Sequence, residues 1–380
     1  MRVPLISVCD FHGGSQPPKE EWLTYLDEGY IRMLQIRDFT QTGRFNPEYV
    51  KISNSTKTCN EDDILIARYG ASIGKVFTGL SGAYNVAIMK TIPDISRITK
   101  PFLFYYLNSD YVQKYIQNVG SRAAQAGFNK EELSKLIINL PSLGEQQLIT
   151  FALEKATMLI SLRKQQLEKL DELVKSQFIE MFGDPVANPM RWEVKPLGCL
   201  CDKMTDGEHQ NPGFVEAGIK MVMANNVREK LSFENCKFIS LSDYQKFSQK
   251  CNPTRGDVLL VSRGATVGRC CINDSDEPFS LMGSVIFIKC NKDVVNQYFL
   301  CSWLQNCRIA PIIATTSSST AQQAIYMKDL KNTSAICPPL DLQNQFAAFV
   351  QQVDKSKFEI RESLDKLETL YKALMQQYFG

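Results

Sequence analysis

A chain of 380 residues exceeds what a single hydrophobic core usually supports, so two or three domains are expected. With 44% hydrophobic residues, 22% charged residues and a formal net charge of +2, the composition is that of an ordinary globular protein. That balance excludes a polybasic tail or a histone-like binder but leaves room for a local basic face on which nucleic acid could sit.

Met1 is followed by no basic-then-apolar leader, and no apolar run approaches the roughly 18 residues a membrane helix needs, so the expected compartment is the cytoplasm of a prokaryote-type cell. Of the twelve cysteines, Cys199 and Cys201, and Cys270 and Cys271, are the closest groupings, and no Cys-x-x-Cys occurs. Only His12 and His209 are available to complete a zinc site, so the expected metal content is none and the cysteines are expected as reduced core residues.

Taken in chain order, the elements come twice. "PLISVCD" (4–10) returns as "PLGCLCD" (196–202), and "GYIRMLQIRDF" (29–39) resembles "GIKMVMANNV" (218–227). "DILIARYGASIGKV" (63–76) returns as "DVLLVSRGATVGRC" (257–270), matching Asp63 to Asp257, Gly70 to Gly264 and Gly74 to Gly268. Short apolar runs bounded by Gly, Asn, Asp and Pro, such as "DILIA", "AYNVAIMKTI", "DVLLV" and "SVIFIKC", read as β-strands joined by tight turns. "PFLFYYLNSDYVQKYI" (101–116) and "QYFLCSWLQNCRIAPI" (297–312) read as amphipathic helices packed on them.

Each copy then runs into a long helix ending at Gly183 or Gly380. The first keeps apolar residues at Ile160, Leu167, Leu170, Val174, Phe178 and Met181, and the second at Ile360, Leu364, Leu367, Tyr371, Leu374 and Tyr378. Alternating steps of three and four make the second a coiled-coil seam, and a lone helix of this kind would leave its seam wet. The two are therefore expected to pair, antiparallel, under a pseudo-two-fold relation between the copies. At about 1.5 Å per residue each spans roughly 55 to 60 Å. The fold expected is α+β: two pseudo-symmetric α+β domains, 1–143 and 184–340, joined by two long antiparallel helices, 144–183 and 341–380, forming a coiled coil.

No catalytic constellation appears. "NPEY" (46–49) lacks the second proline of an amino-methyltransferase motif and reads as a turn opening a strand. Glu193-x-Lys195 is a lone fragment of a nuclease pattern beside Trp192, and "GASIG" and "GATVG" have no Lys-Ser/Thr to make them phosphate cradles. Two histidines without a Ser/His/Asp pattern give acyl transfer nothing to work with. The chain is expected to be no enzyme, with no catalytic residue and no cofactor of its own.

The turns and strand ends do gather the side chains that reach base edges and phosphates. In the first copy these are Ser15, Gln16 and Lys19 in "GGSQPPK", Gln35 and Arg37 in "QIRDF", Arg68 and Tyr69 on the repeated hairpin, Asn85 in "AYN", and Arg122 and Gln125 in "GSRAAQAGFNKEEL". In that last stretch Asn129 and Glu132 make a helix capping box. In the second copy they are His209 and Gln210 in "DGEHQNPGF", Asn225, Asn226 and Arg228 in "NNVR", Arg263 beside Ser262, and Ser318 and Gln322 in "TTSSSTAQQ". Each is equally an ordinary solvated turn residue, and a duplicated coiled-coil adaptor that binds only proteins would carry the same loops.

The helix openings "LPSLGEQQ" and "CPPLDLQNQ", the closing "FIEMFGDP", the "WEVKPLG" that introduces the second copy and the Gly-Asp-Val-Leu-Leu hairpin together resemble the specificity (S) subunit of a type I restriction-modification system, over the whole chain. "LDLQNQ" departs from the acidic-Glu-Gln form of that opening. The resemblance implies that residues 1–143 and 184–340 are target recognition domains, each reading one half of a bipartite, asymmetric double-stranded DNA sequence. It implies that the paired helices set the spacing and dock two modification methyltransferase subunits. Those partners would carry S-adenosylmethionine and flip the target adenine, and two restriction motor and nuclease subunits using ATP and Mg2+ would join the same core.

Overall fold

The computed structural model describes every residue except 42, 121–126, 211 and 308–323. The chain divides into two compact units, Met1–Lys164 with Glu362–Gly380, and Gln165–Arg361. The division falls inside each long helix, so every unit consists of a sheet-bearing head and a segment of both helices.

In the first unit, β2 (Cys9–Gly13), β6 (Leu65–Ala67), β7 (Val76–Phe77) and β9 (Ile88–Pro93) form a sheet of order β2-β9-β6-β7, all antiparallel. A second sheet runs β4-β3-β8-β5 from β3 (Tyr30–Leu34), β4 (Tyr49–Lys51), β5 (Thr58–Cys59) and β8 (Gly82–Tyr84), with β3 and β8 parallel. A small pair, β1 (Arg2–Pro4) with β10 (Ile137–Asn139), brings the start of the head to its end. A short helix α1 (Ile36–Thr40) follows β3. The predicted helix over 101–116 is two: α2 (Lys100–Leu107) and α3 (Asp110–Gly120). They separate because the Asn108 amide bonds back to the Phe104 carbonyl while Ser109 Oγ accepts from Val112 N to start afresh. At the short helix α4 (Lys130–Leu133), Asn129 accepts from Glu132 N at 3.0 Å, but the Glu132 carboxylate goes to Lys135 and Tyr115, so half of the expected capping box is present.

The second unit repeats the plan. The strands β12 (Cys201–Asp206), β16 (Val258–Val261), β17 (Cys270–Ile272) and β19 (Val285–Cys290) take the order β12-β19-β16-β17, and β11 (Val194–Pro196) pairs with β20 (Ser334–Ile336). Here β13 (Phe214–Val215), β14 (Ile219–Val222), β15 (Lys237–Ile239) and β18 (Phe279–Leu281) give β13-β15-β14-β18, with β14 and β18 parallel. Three strands of this sheet correspond to β4-β3-β8, but the fourth joins the opposite edge. Its helices are α6 (Leu241–Ser248) and α7 (Gln297–Asn306) among the described residues, with a short one at Met327–Asn332.

The long helices run Leu143–Phe182 (α5, the central helix) and Leu340–Phe379 (the terminal helix), within a residue of the expected bounds. Gly183 closes the central one at φ 74°, a left-handed residue that glycine takes without a Cβ penalty. In the first unit, Phe379 packs at a tilt against Phe102, ring centroids 5.0 Å apart, while Tyr371, Leu374 and Tyr378 pack on the core that holds Ile149 and Leu153, and Lys164 pairs with Glu368 at 2.9 Å. In the second, Phe178 and Phe182 pack with Phe299 and Phe346, and Lys357 pairs with Asp171.

One buried side chain anchors each helix opening to its head. Gln146, fully buried, accepts from Thr99 N at 2.9 Å and donates to the carbonyls of Arg97 (2.8 Å) and Pro141 (3.0 Å). Gln343 repeats this with Asn296 N (2.9 Å), Val294 (3.2 Å) and Pro338 (2.8 Å). Glu145 serves only a surface cap with Ser142 and gives way to Leu342 in the second copy, so the departure in "LDLQNQ" leaves the anchor intact.

Candidate nucleic-acid interface

In each head the loop after the first long strand lies on the end of the parallel strand pair. A Cβ on Gly14 would stand 2.1 Å from the Asn85 carbonyl oxygen, and one on Gly207 would stand 2.1 Å from that of Leu281, so both loops need glycine to approach so closely. Ser15 N then donates to Tyr84 O, and Glu208 N to Leu281 O. The next bond carries the contact onward: Asn85 N donates to Leu34 O, and Met282 N to Val222 O, each just ahead of a short helical turn.

That turn is built alike in both heads. Asp38 accepts from Gln35 N at 2.8 Å, and Asn226 accepts from Met223 N at 3.0 Å. Asn226 is buried and its amide also donates to Glu234 O, so this predicted base-reading residue serves the backbone, as an Asx side chain at a cap does. Its neighbour Asn225 is exposed, and Arg228 bonds the Asn225 carbonyl and pairs with Glu234 at 3.1 Å.

In the first head, three predicted residues meet on one carboxylate. Lys19 Nζ reaches Glu48 Oε1 at 2.7 Å, Gln35 Nε2 donates to Glu48 Oε2 at 2.6 Å, and Arg37 Nη2 bonds the same oxygen. Burial pushes the Glu48 carboxyl up, but Lys19 and Gln35 outweigh it and hold it below the ordinary carboxylate value. Lys19 lies 3.7 Å over the Trp22 ring and Arg37 4.9 Å from that of Phe45. Arg37 and Phe45 also line a cavity of about 270 Å³ with Arg32, Phe39 and Leu80.

The repeated hairpin adds Arg68 and Tyr69. Arg68 N donates to Ala87 O and its Nε to Phe128 O, and Tyr69 bridges Gly127, beside the segment carrying Arg122 and Gln125. Arg263 occupies the Tyr69 place and bridges Ala324, beside the segment carrying Ser318 and Gln322. Arg122, Gln125, Ser318 and Gln322 lie outside the described residues. His209 and Gln210 are exposed on the Gly207 loop, His209 holding Asp206 at 2.5 Å, as the exposed Gln16 follows Gly14 in the first head.

Hydrogen bonds thus link Ser15, Lys19, Gln35, Arg37 and Asn85 through adjacent backbone, and in the second head the corresponding loops bring His209 and Asn225 toward the matching strand ends of that head itself. Glu48, Lys220 and Lys237 belong with them and escaped the sequence reading. Lys220 lies 4.4 Å over Phe233 and Lys237 4.3 Å over Phe214; Phe238 beside Lys237 was a sequence signal for that lysine, and Lys220 carried none.

Gly70 (φ 74°) and Gly264 (φ 100°) are turn glycines, and Lys195 simply pairs with Glu193 at 3.0 Å on a strand edge. All twelve cysteines are free thiols, and burial pushes Cys9, Cys201 and Cys251 up to about 12, which keeps them protonated. Among the described residues no group of three or more His, Cys, Asp or Glu could hold a metal ion, and no helix is long and apolar enough to cross a membrane.

Known proteins share this plan. The chain is similar to the type I restriction enzyme MjaVIII specificity subunit of Methanocaldococcus jannaschii, 24% identical over 367 residues that cover 92% of this chain and 85% of that one. It is similar also to the EcoBI specificity subunit of Escherichia coli, 19% identical over 411 residues covering 100% of this chain and 85% of that one. Its fold matches a chain from work on complex assembly and conformational transition of the type I R-M system, with a TM-score of 0.61 at 18% identity over 100% of this chain and 97% of that one. It matches the type I restriction-modification S subunit from M. genitalium with a TM-score of 0.60 at 15% identity, over 100% and 96%. The family described as type I restriction modification DNA specificity domain matches residues 1–172 and 189–369. Two matches of that extent account for nearly the whole chain, which therefore belongs to this family.

Proposed function

We propose that the chain is the DNA sequence-specificity subunit of a type I restriction-modification complex and that each unit reads one half of a bipartite, asymmetric target. The carrying observation is one scaffold built twice with its loop chemistry changed. The strand pairings and glycine-backed loops persist, while Gln35, Arg37 and Glu48 give way to Met223, Asn225 and Lys237. A repeated frame with unlike polar loops suits two unlike half-sites.

In this reading the central and terminal helices pair antiparallel as a coiled coil that spaces the two recognition domains. Support comes from the Lys164–Glu368 and Lys357–Asp171 pairs and from the apolar seam. The helices dock two modification methyltransferase subunits, and two restriction subunits join where the host encodes them. S-adenosylmethionine, ATP and Mg2+ belong to those partners, and this chain, in the cytoplasm, contributes recognition without chemistry. A net charge of +2 leaves few surplus cations for counterion release, so the isolated chain binds DNA modestly and loses it with salt.

The rival reading, a duplicated coiled-coil adaptor indifferent to DNA sequence, is not favoured by the family match. Mapping adenine methylation in the host with and without the gene separates the two. Loss of methylation at one bipartite motif supports DNA specificity, and an unchanged methylation pattern supports the adaptor.

A further inference from the structure

We infer that Glu48 is a positioning residue that sets the specificity of the first recognition domain by holding Lys19, Gln35 and Arg37 to base reading and away from indiscriminate phosphate contact. The inference rests on the DNA-reading function proposed above.

Three donors from two stretches of the chain converge on this carboxylate: Lys19 at 2.7 Å, Gln35 at 2.6 Å, and Arg37. Two are cations on the polar loops that carry the other reading candidates. A free lysine or arginine there would bind phosphate at any sequence, because phosphate attraction carries no base information. A carboxylate shared between them cancels one positive charge and fixes the direction of the remaining donors, including the second Gln35 N–H and the other guanidinium nitrogens. What is left is a directed set of hydrogen-bond donors, which is what base-edge recognition requires.

A purely architectural role for the acid is countered by the second head. Met33 N donates to Glu48 O, which places Glu48 opposite Met33; Met221 occupies the Met33 position, beside the same parallel strand, and lies opposite Lys237. The second head therefore forms the same strand pair with the charge reversed, so the pairing does not demand an acid. The donors change with it: Gln35 and Arg37 become Met223 and Asn225, which have no cation for an acid to hold. At the matching positions the Glu48 acid and the Arg37 cation stand together in one head and are both replaced, by Lys237 and Asn225, in the other, as members of one recognition unit would be.

The test uses the full chain assembled with the modification subunit of its host, on duplex DNA carrying the mapped methylation motif and on duplexes with either half scrambled. Affinity is measured across a KCl series for wild type, Glu48→Gln and Lys237→Gln. Freeing one cation for phosphate steepens the slope of log K against log salt by about 0.9, so Glu48→Gln is expected to steepen it by roughly one to two. Binding to the first-half scramble should tighten, first-half discrimination should fall about tenfold or more, and second-half discrimination should hold. Lys237→Gln should shift the slope the opposite way by about 0.9.

An unchanged slope with first-half discrimination intact overturns the inference. So does lost discrimination with a lower unfolding temperature and no steeper slope, which would make Glu48 a structural ion-pair partner. A wild-type complex indifferent to its own motif would sink the DNA-reading function itself, and this inference with it.

Discussion

Replacing Gln146 with alanine tests how the central helix is fixed to its head. The side chain is fully buried and makes three hydrogen bonds at 2.8–3.0 Å, to Thr99 N and to the carbonyls of Arg97 and Pro141. At about 1 kcal/mol net per bond, with three partners left dry, the cost is about 3–4 kcal/mol. For a unit of 150–250 residues each kcal/mol lowers the melting temperature by roughly 2–4 °C, so the transition of the first unit should fall by roughly 6–16 °C. Differential scanning calorimetry is the assay because two compact units need not melt together, and the transition of the second unit should stay in place. Gln343→Ala should reverse the assignment. Gln146→Glu keeps an acceptor for Thr99 N but points an anion at two carbonyls. Its folded carboxyl is therefore raised, and the lost stability returns as pH falls and is lost again as pH rises through that value. A Gln146→Ala loss below about 1 kcal/mol, or an equal fall in both transitions, would refute the reasoning.

Four further outcomes follow from particular side chains. Burial pushes the Asp63 carboxyl up, but Lys100 (2.8 Å) and Lys90 (2.5 Å) outweigh it and hold it at about 2. Its stabilisation is present above the ordinary value of 3.8 and is lost as pH falls toward 2, so Asp63→Asn should destabilise at neutral pH and match wild type near pH 2. Asp257 stands where Phe287 and Gln297 replace those lysines, and burial raises its carboxyl. Its contribution is present below the ordinary value and lost as pH rises past the raised one, so Asp257→Asn should be neutral or stabilising at neutral pH in urea melts. Phe379→Ala opens a cavity against Phe102 and Tyr106 and should cost the first unit about 3–5 kcal/mol in the same melts. Arg68→Ala, if it removes a base contact, should cost about 1–3 kcal/mol at the first half-site only, whereas loss of a phosphate contact would weaken all sequences alike and flatten the salt slope.

Much of the architecture is readable from local sequence because local sequence determines it. Helix ends follow from Gly183 and the capping loops, and the hairpin "GASIG" repeats because its φ values, 74° at Gly70 and 82° at Gly74, restrict the residue. The edge strands escape such reading: β5 joins β8 in one head while β13 joins β15 in the other, a choice made by contacts distant in sequence. The candidate interface was legible as composition but not as geometry. Glu48 sat in "NPEY", a stretch that reads only as a turn, and its partners lie 11, 13 and 29 residues away. Asn226 looked available for bases because its neighbour Asn225 is. Its match to Asp38 in "QIRDF" was the clue that it caps a turn instead.

The central claim, that each head independently reads one half of a bipartite DNA target, is tested most directly by exchanging residues 1–143 for those of a relative with a different motif and sequencing the methylated adenines of the host. The account predicts a new first half, an unchanged second half and an unchanged spacer. A motif altered in both halves, or in neither, would contradict it.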